Sequence, residues 1–386
     1  MNILAIADPA SHDLKWIESL SREHDYFVFL RNAHYRKYTK EQLRELETKW
    51  DIKIIGGIED FSLLKLITTW KSISMILAAI KRFNVGLLHL MYAEPNALWA
   101  IFRKKLKIPV IITTRGTDIL KTIPLFYNSN SYFKKTIFYL YKKAFRQADV
   151  ITCTSLSQKQ KVLELFGCPE EKVVTIRTGV NYEKIEAGLT IEANIELAGK
   201  KYVFFPRSMR PLYNHEFSIR SVSLLPETIL AKYYFVFVGR DNGDPAYVES
   251  VNALMNSNSH CKFIFLNHQT ETEIFSLYKY SDLVVMNPLS DGTPVSAFEA
   301  IAFRKPVVLG PIDYDQALFK DTVFKLKSWS EDELANLIKD VLEKNIKYDA
   351  EEIYKKVYKE TNRNFQMKKL LSIYKNLSKK IDAEIS

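Results

Sequence analysis

The sequence has 386 residues and only three cysteines, Cys153, Cys168 and Cys261, no two of which form a CxxC pair. That scatter argues against a disulfide framework and a zinc site, and it fits a reducing, cytoplasmic compartment. The seven histidines are dispersed with no HExxH spacing, so no metal is expected. No uninterrupted apolar run approaches ~18 residues, which argues against a spanning helix. The opening Met1-Asn2-Ile3-Leu4-Ala5-Ile6-Ala7 meets Asp8-Pro9 without a basic start or cleavage pattern, and no signal peptide is expected. No glycine-rich fingerprint follows the first strand, so a dinucleotide cofactor is not indicated. A nucleic-acid module pattern is also missing, and no nucleic-acid partner is expected.

What is present suits two domains of ordinary size with packed cores, 47% of the residues being hydrophobic. The net charge of +10 is unevenly placed. Residues 1 to 185 carry 29 Lys and Arg against 18 Asp and Glu, a balance of +11; the rest carry 26 against 27, a balance of −1. Such asymmetry points to a polyanionic partner for the N-terminal half, here an anionic membrane surface.

Ile3 to Ala7, Tyr26 to Leu30, Gly86 to Leu90, Pro109 to Thr114, Asp149 to Thr154 and Val173 to Ile176 read as strands. Helices Leu14 to Arg22 and Ser155 to Phe166 lie among them, Tyr35 to Asp51 reads as a charged exposed helix, and residues 61 to 82 as an amphipathic segment. Over residues 131 to 148, Lys135, Tyr139, Lys142 and Arg146 share one helical face. Phe133, Ile137, Leu140, Tyr141 and Ala144 form its core stripe, and Phe138 and Phe145 lie at the border, in reach of headgroups. A merely solvated face is the competing reading. Tyr182 to Gly199 is polar and reads as a linker. Beyond it come strands Tyr202 to Phe205, Tyr234 to Val238 and Phe263 to Leu266, helices His215 to Leu224 and Glu271 to Lys279, and a basic last helix, Asn364 to Ile381. Gly239 ends one of these strands, where a backbone can approach a nucleotide closely. Three segments follow: residues 1–184, 200–363 and 364–386.

Residues 284 to 310, VVMNPLSDGTPVSAFEAIAFRKPVVLG, organise the second half. A strand, Leu283 to Met286, runs into a polar turn, Asn287 to Gly292. Thr293 suits an N-cap and Pro294 a first helical position, followed by the apolar helix Val295 to Phe303. Glu299 sits inside that helix, where a carboxylate needs donors or shifts its pKa. A loop acid, Asp291, a helix N-terminus over Gly292 to Ser296 and Glu299 together suit a sugar nucleotide, with N–H groups for the diphosphate and carboxylates for hydroxyls. A helix carboxylate paired with a nearby Lys or Arg is the plainer reading of Glu299.

This stretch resembles the E-x7-E region of the retaining glycosyltransferases of family 4, with Asp291 and Glu299 in the acidic places and Gly292, Thr293, Pro294 and Val295 as the phosphate-facing turn. Ala300-Ile301-Ala302 and Pro306-Val307-Val308 match the run that follows, but Arg304 stands where glycine is usual, so that helix end calls for an unusual backbone angle. In Pro206 to Asn214 the family carries an Arg and a Lys that hold the donor diphosphate; Arg207 matches the first, Tyr213-Asn214 replace the second, and Arg210 is left to supply that charge. Arg115 replaces a frequent histidine ahead of Gly116-Thr117-Asp118; it cannot act as a base and would bind, or else pair with Asp118. His12 lies on the loop that the family places at the cleft, a helix-capping histidine being the other reading, and His268 stands on a loop at the edge of the base pocket.

The resemblance implies an α/β protein of the GT-B fold, two facing Rossmann-like domains with an interdomain cleft and a C-terminal helix returning to the first. It implies metal-independent transfer of a hexose-type sugar, with retention, from a nucleoside-diphosphate-sugar to a glycan or lipid-linked acceptor, with no cofactor beyond that substrate. Arg207 would stabilise the departing diphosphate, Glu299 hold the ribose and Asp291 orient the sugar, while His12, Arg115 and Asp118 would face the acceptor or cleft. A peripheral place on the inner face of the cytoplasmic membrane and a role in cell-envelope polysaccharide follow. A sugar-nucleotide epimerase, a glycoside hydrolase and a catalytically silent sugar-nucleotide-binding partner are the rivals.

Overall fold

The apolar runs become thirteen parallel strands, laid out in a computed structural model that describes all residues except 9–12, 189, 195, 292 and 386, and the side chains of 15 and 380–385. Contacts divide the chain into two units, Met1–Thr178 with Asn364–Ser386, and Gly179–Arg363.

The first sheet holds β1 (Asn2–Ala7), β2 (Asp25–Arg31), β3 (Lys53–Ile58), β4 (Val85–Met91), β5 (Val110–Thr113), β6 (Val150–Cys153) and β7 (Val173–Thr175), in the order β3-β2-β1-β4-β5-β6-β7. The second holds β8 (Lys201–Phe205), β9 (Tyr233–Phe237), β10 (Phe263–Phe265), β11 (Leu283–Met286), β12 (Val307–Leu309) and β13 (Phe324–Lys325), in the order β10-β9-β8-β11-β12-β13. Parallel strands covered on both faces must be apolar throughout, and Ile3 to Ala7, Val203 to Phe205 and Leu283 to Met286 are almost wholly shielded from solvent. Strand order reverses between β1 and β4, and again between β8 and β11. In doubly wound sheets ligands bind outside the carboxyl ends of the strands at such a reversal.

The C-terminal helix, Arg363–Ile385, belongs from Asn364 onward to the first unit and completes its core. Met367, Leu370, Leu371, Tyr374 and Leu377 are buried there, at helical spacing, in a cluster with Ile3, Trp16, Tyr26 and Leu87. Tyr374 also enters a buried polar chain: its hydroxyl lies 2.7 Å from His89 Nδ1 and 3.2 Å from the Tyr26 hydroxyl, and His89 Nε2 lies 2.6 Å from Thr113 Oγ1. Burial, with a smaller push from Arg115, lowers His89 to about 3, so the imidazole is neutral.

Two segments differ from the sequence reading. The expected linker from Tyr182 begins with a helix, Tyr182–Gly188, because Tyr182 packs on Tyr354 and Tyr358 and its hydroxyl meets Thr361 Oγ1 at 2.8 Å. In the helix Tyr132–Gln147, Phe145 is fully buried and stacked on Phe166, and so cannot reach headgroups; Phe138, half-buried, also stacks on Phe166. Phe133, assigned to the core stripe, is 44% exposed, and Arg146 Nε donates to the Phe166 carbonyl at 2.8 Å. Among the described residues no helix is long and apolar enough to cross a membrane.

Candidate functional site

In the second unit β8 and β11 deliver their carboxyl ends side by side at the strand-order reversal. Beyond β8 stands Arg207, and beyond β11 the turn that carries Asp291. Arg207 Nη2 lies 3.2 Å from Asp291 Oδ2, and Nη1 donates to Ser296 Oγ at 3.2 Å. The two sequence motifs therefore meet in one place. The guanidinium also lies over the Tyr213 ring at 4.2 Å. Tyr213, which with Asn214 stands where the resemblance leads one to expect a lysine, thus serves as a stacking platform for Arg207. Burial works against the charged guanidinium, but Asp291 and Tyr213 outweigh it and hold its pKa above the ordinary value. Arg210 is exposed on the same turn.

The turn is braced from below by His215, whose Nε2 lies 3.1 Å from the Ser208 carbonyl and whose N–H donates to the Tyr247 hydroxyl at 2.7 Å. Burial lowers this imidazole to about 4. The Leu289 N–H donates to the Leu212 carbonyl at 2.8 Å, tying the two turns together. Neither brace was legible in the sequence, since each joins residues whose proximity depends on the sheet.

The helix that carries Glu299 runs Val295–Ala302, one residue shorter than expected, and its N-cap is Pro294, not Thr293. Thr293 Oγ1 is buried without a hydrogen-bond partner, as is Oδ1 of Asn287, whose Nδ2 donates to Ser218 Oγ at 2.9 Å. Glu299 is half-buried and accepts from the Tyr278 hydroxyl at 3.4 Å. Burial, then the Glu299 charge, raise Tyr278 well above its ordinary value, so its hydroxyl stays a donor. Arg304 takes the left-handed conformation that its place implied, at φ +60°, stacked over Tyr354 at 3.5 Å and bonded through Nε to Glu351 at 2.8 Å. Gly292 lies outside the described residues.

Gly239 takes φ +87°, where an added Cβ would stand 3.0 Å from Asn242 Oδ1. Beyond it lies a cavity of about 590 Å³ lined by Arg240, Leu266, Asn267, Gln269, Thr272 and Ser276, among others. His268, expected at the edge of the base pocket, is exposed beside that loop with Nδ1 2.8 Å from Asn242 Nδ2.

In the first unit Arg115 pairs with Asp13, through Nε and Nη2 each at 2.8 Å, and lies over Trp16 at 4.2 Å. The alternative pairing with Asp118 does not form. Asp118 is fully buried and accepts from the backbone N–H groups of Ala93, Arg115, Gly116 and Ile119 at 2.9 to 3.1 Å. It thereby shapes the loop. Burial raises its carboxyl, against the pull of those N–H groups. His12 lies outside the described residues.

Residues 16–184 match the family model Glycosyltransferase Family 4, and residues 190–360 match Glycosyl transferases group 1. An uncharacterized glycosyltransferase of Methanocaldococcus jannaschii, MJ1607, is 27% identical over 179 residues, covering 45% of this chain and 44% of that protein. The serotype-specific mannosyltransferase WbdA of Escherichia coli is 26% identical over 172 residues, 42% of this chain and 21% of WbdA. The chain thus spans less than half the length of these curated relatives. Among solved structures, a Rickettsia africae glycosyltransferase superposes with a TM-score of 0.75 at 19% identity, covering 97% of this chain and 98% of that one. Anabaena Alr3699/HepE in complex with UDP gives 0.76 at 15% identity, covering 97% and 100%. These likenesses show the GT-B fold.

Proposed function

The chain belongs to the group 1 glycosyltransferases, and from that premise we propose that it moves a hexose-type sugar from a nucleoside-diphosphate donor to a glycan or lipid-linked acceptor, with retention. The observation that carries this reading is the meeting of Arg207, Asp291 and Ser296 at the carboxyl ends of β8 and β11, on the turn and helix that also carry Glu299. Breaking the bond between the sugar's anomeric carbon and the diphosphate leaves negative charge on phosphate. Arg207, held charged and stacked, faces that charge, with Arg210 and the N–H groups at the start of the Val295–Ala302 helix beside it. These cations supply the charge that a metal would otherwise bring, and no further cofactor is invoked. Asp291 accepts from sugar hydroxyls and Glu299 from the ribose. A donor carrying uracil is supported by the UDP held in HepE, and a hexose by the name of WbdA.

A membrane-borne acceptor is supported by the surface of the first unit. Leu64, Ile67 and Tyr132 are 80%, 88% and 87% exposed, beside Lys65, Lys134 and Lys135. Apolar side chains left in water among lysines suit the inner face of an anionic cytoplasmic membrane, from which polysaccharide of the cell envelope is built. The test is incubation with labelled UDP- and GDP-sugars and membrane extract. Label should pass to a lipid-extractable or polysaccharide product with nucleoside diphosphate released. Donor binding without transfer would leave a silent binding partner, and release of free sugar alone would indicate hydrolysis.

A further inference from the structure

A second charged cavity, of about 710 Å³, opens at the opposite end of the second unit's sheet. Lys201 begins β8, Tyr233 begins β9, and Asp282 and Pro306 stand just ahead of β11 and β12; all four line it. β8 runs five residues from Lys201 before the chain reaches Arg207, roughly 16 Å at ~3.3 Å per residue, so this is a different place from the donor turn. The remaining wall comes from Arg304, from the end of the helix Glu331–Leu342, and from the loop after it with Lys344, Ile346, Lys347 and Tyr348.

The lining carries five cations, Lys201, Lys232, Arg304, Lys344 and Lys347, against one acid, Asp282. This is not the general character of the unit, for residues 179–363 hold 22 Lys and Arg against 26 Asp and Glu, a balance of −4. Nor is most of this charge paired with acids. Arg304 is paired with Glu351 and Lys232 Nζ lies over the Tyr233 ring at 5.7 Å, but among the described residues no ion pair forms at Lys201, Lys232, Lys344 or Lys347. The lone acid, Asp282, accepts the Tyr202 N–H through Oδ2 at 3.0 Å. Nearby Asp340 and Glu343 accept from Asn345 Nδ2, each at 3.2 Å.

Two of the five cations stand where the backbone disfavours them. Arg304 and Lys344 each follow the last turn of a helix in the left-handed region, both at φ +60°, where glycine is the least strained residue. A helix C-terminus attracts cations, but that attraction does not reach Lys201 or Lys232 at the strand entries. Tyr233, Val341 and Ile346 give the cavity an apolar side, and the Tyr348 hydroxyl donates to the Lys305 carbonyl at 2.7 Å.

We infer that this cavity is a second anion site, taking a small molecule with two or more phosphates. The volume lies within the ~300–1,000 Å³ range of small-molecule pockets. Four unpaired ammonium groups around one space repel one another, and a multiply charged anion relieves that repulsion while a single phosphate meets only part of it. The same chemistry is offered by a soluble polyphosphate and by a lipid headgroup.

The experiment is calorimetric titration of the full chain with tripolyphosphate and with orthophosphate. Wild type and Arg207→Ala should bind tripolyphosphate alike at this cavity, and at least tenfold more tightly than orthophosphate. The double variant Lys344→Gly/Lys347→Gln should lose at least tenfold in tripolyphosphate affinity while melting no lower than wild type, because glycine relieves position 344. Lys201→Gln/Lys232→Gln gives the same readout from the strand entries if the first pair fails to fold. Binding undiminished in both double variants, binding abolished by Arg207→Ala, or no binding at millimolar tripolyphosphate overturns the inference. Phosphatidylcholine vesicles doped with phosphatidic acid form a second arm. Capture that the cavity variants lose assigns a headgroup, and tripolyphosphate binding alone assigns a soluble anion.

Discussion

Replacing Arg207 by alanine removes three things at once: the 3.2 Å pairing with Asp291, the 3.2 Å bond to Ser296 and the stack on Tyr213. In the free protein the loss takes the guanidinium away from Asp291. A fully buried pair broken on one side costs ~3–5 kcal/mol, but these side chains keep 17% and 18% of their exposure, so about 1–2 kcal/mol of stability is expected to go. In the bound protein the guanidinium turns its donors to the diphosphate, and hydrogen bonds to charged groups contribute ~1.5–3 kcal/mol each. Because those donors leave Asp291 and Ser296 to do so, the net loss should be nearer one such bond than two, tenfold to about 150-fold in affinity. Calorimetry with UDP and with uridine separates the terms: UDP binding should fall by that factor and uridine binding stay within about twofold. Arg207→Lys, which keeps the charge but loses the fork and the stack, should fall between. If UDP and uridine weaken equally, Arg207 only supports the fold of the turn, and the assignment of the diphosphate to it is wrong.

Glu299→Gln keeps the size of the side chain but replaces a charged acceptor, so donor affinity should drop about tenfold; unchanged binding in a folded variant removes the ribose from Glu299. Leu64→Glu/Ile67→Glu should abolish sedimentation with anionic vesicles without lowering the melting temperature, since both side chains are already in water. A double variant that still sediments fully would place the membrane contact elsewhere. His89 and His215 stay neutral in the fold down to about 3 and about 4, whereas in the unfolded chain they protonate near 6.5. Between those values the unfolded state binds more protons, so stability falls as pH falls, by about 1.4 kcal/mol per pH unit for each histidine. Denaturant unfolding from pH 6.5 to 4.5 should show that slope, and His89→Gln should lessen it.

Strongly apolar, self-contained segments were the legible ones. Leu283–Met286 and its neighbours in both sheets declare themselves by composition alone, and the acidic spacing of Asp291 and Glu299 announced the turn. β3, Lys53–Ile58, escaped notice because Gly56-Gly57 interrupts its pattern. The structure gives the reason: an added Cβ at Gly57 would stand 1.9 Å from Asn32 Oδ1, so a close neighbour requires glycine inside a strand. The helix Pro245–Ser257 was also passed over, although Asp244 caps it and Pro245 opens it in the expected manner. What no local pattern could give were partners set by topology. Arg115 meets Asp13 across 102 positions, and Tyr213 slips under Arg207 only because a tight turn folds back. The expected roles of His12 and Gly292 fall on residues outside those described.

The first unit is assembled from both sides of the second in sequence, its last helix arriving only after residues 179–363. On the ribosome, where domains generally fold as they emerge, the order of completion is therefore inverted. The later-encoded unit is contiguous and can close as soon as it is made, whereas the earlier one must wait, with Ile3, Trp16 and Tyr26 uncovered on one face, until Leu370 and Tyr374 are translated. For that interval the nascent chain carries an apolar sheet face in water. Chaperone demand, and sensitivity to stalled synthesis, should therefore be concentrated in the half of the protein that was made first.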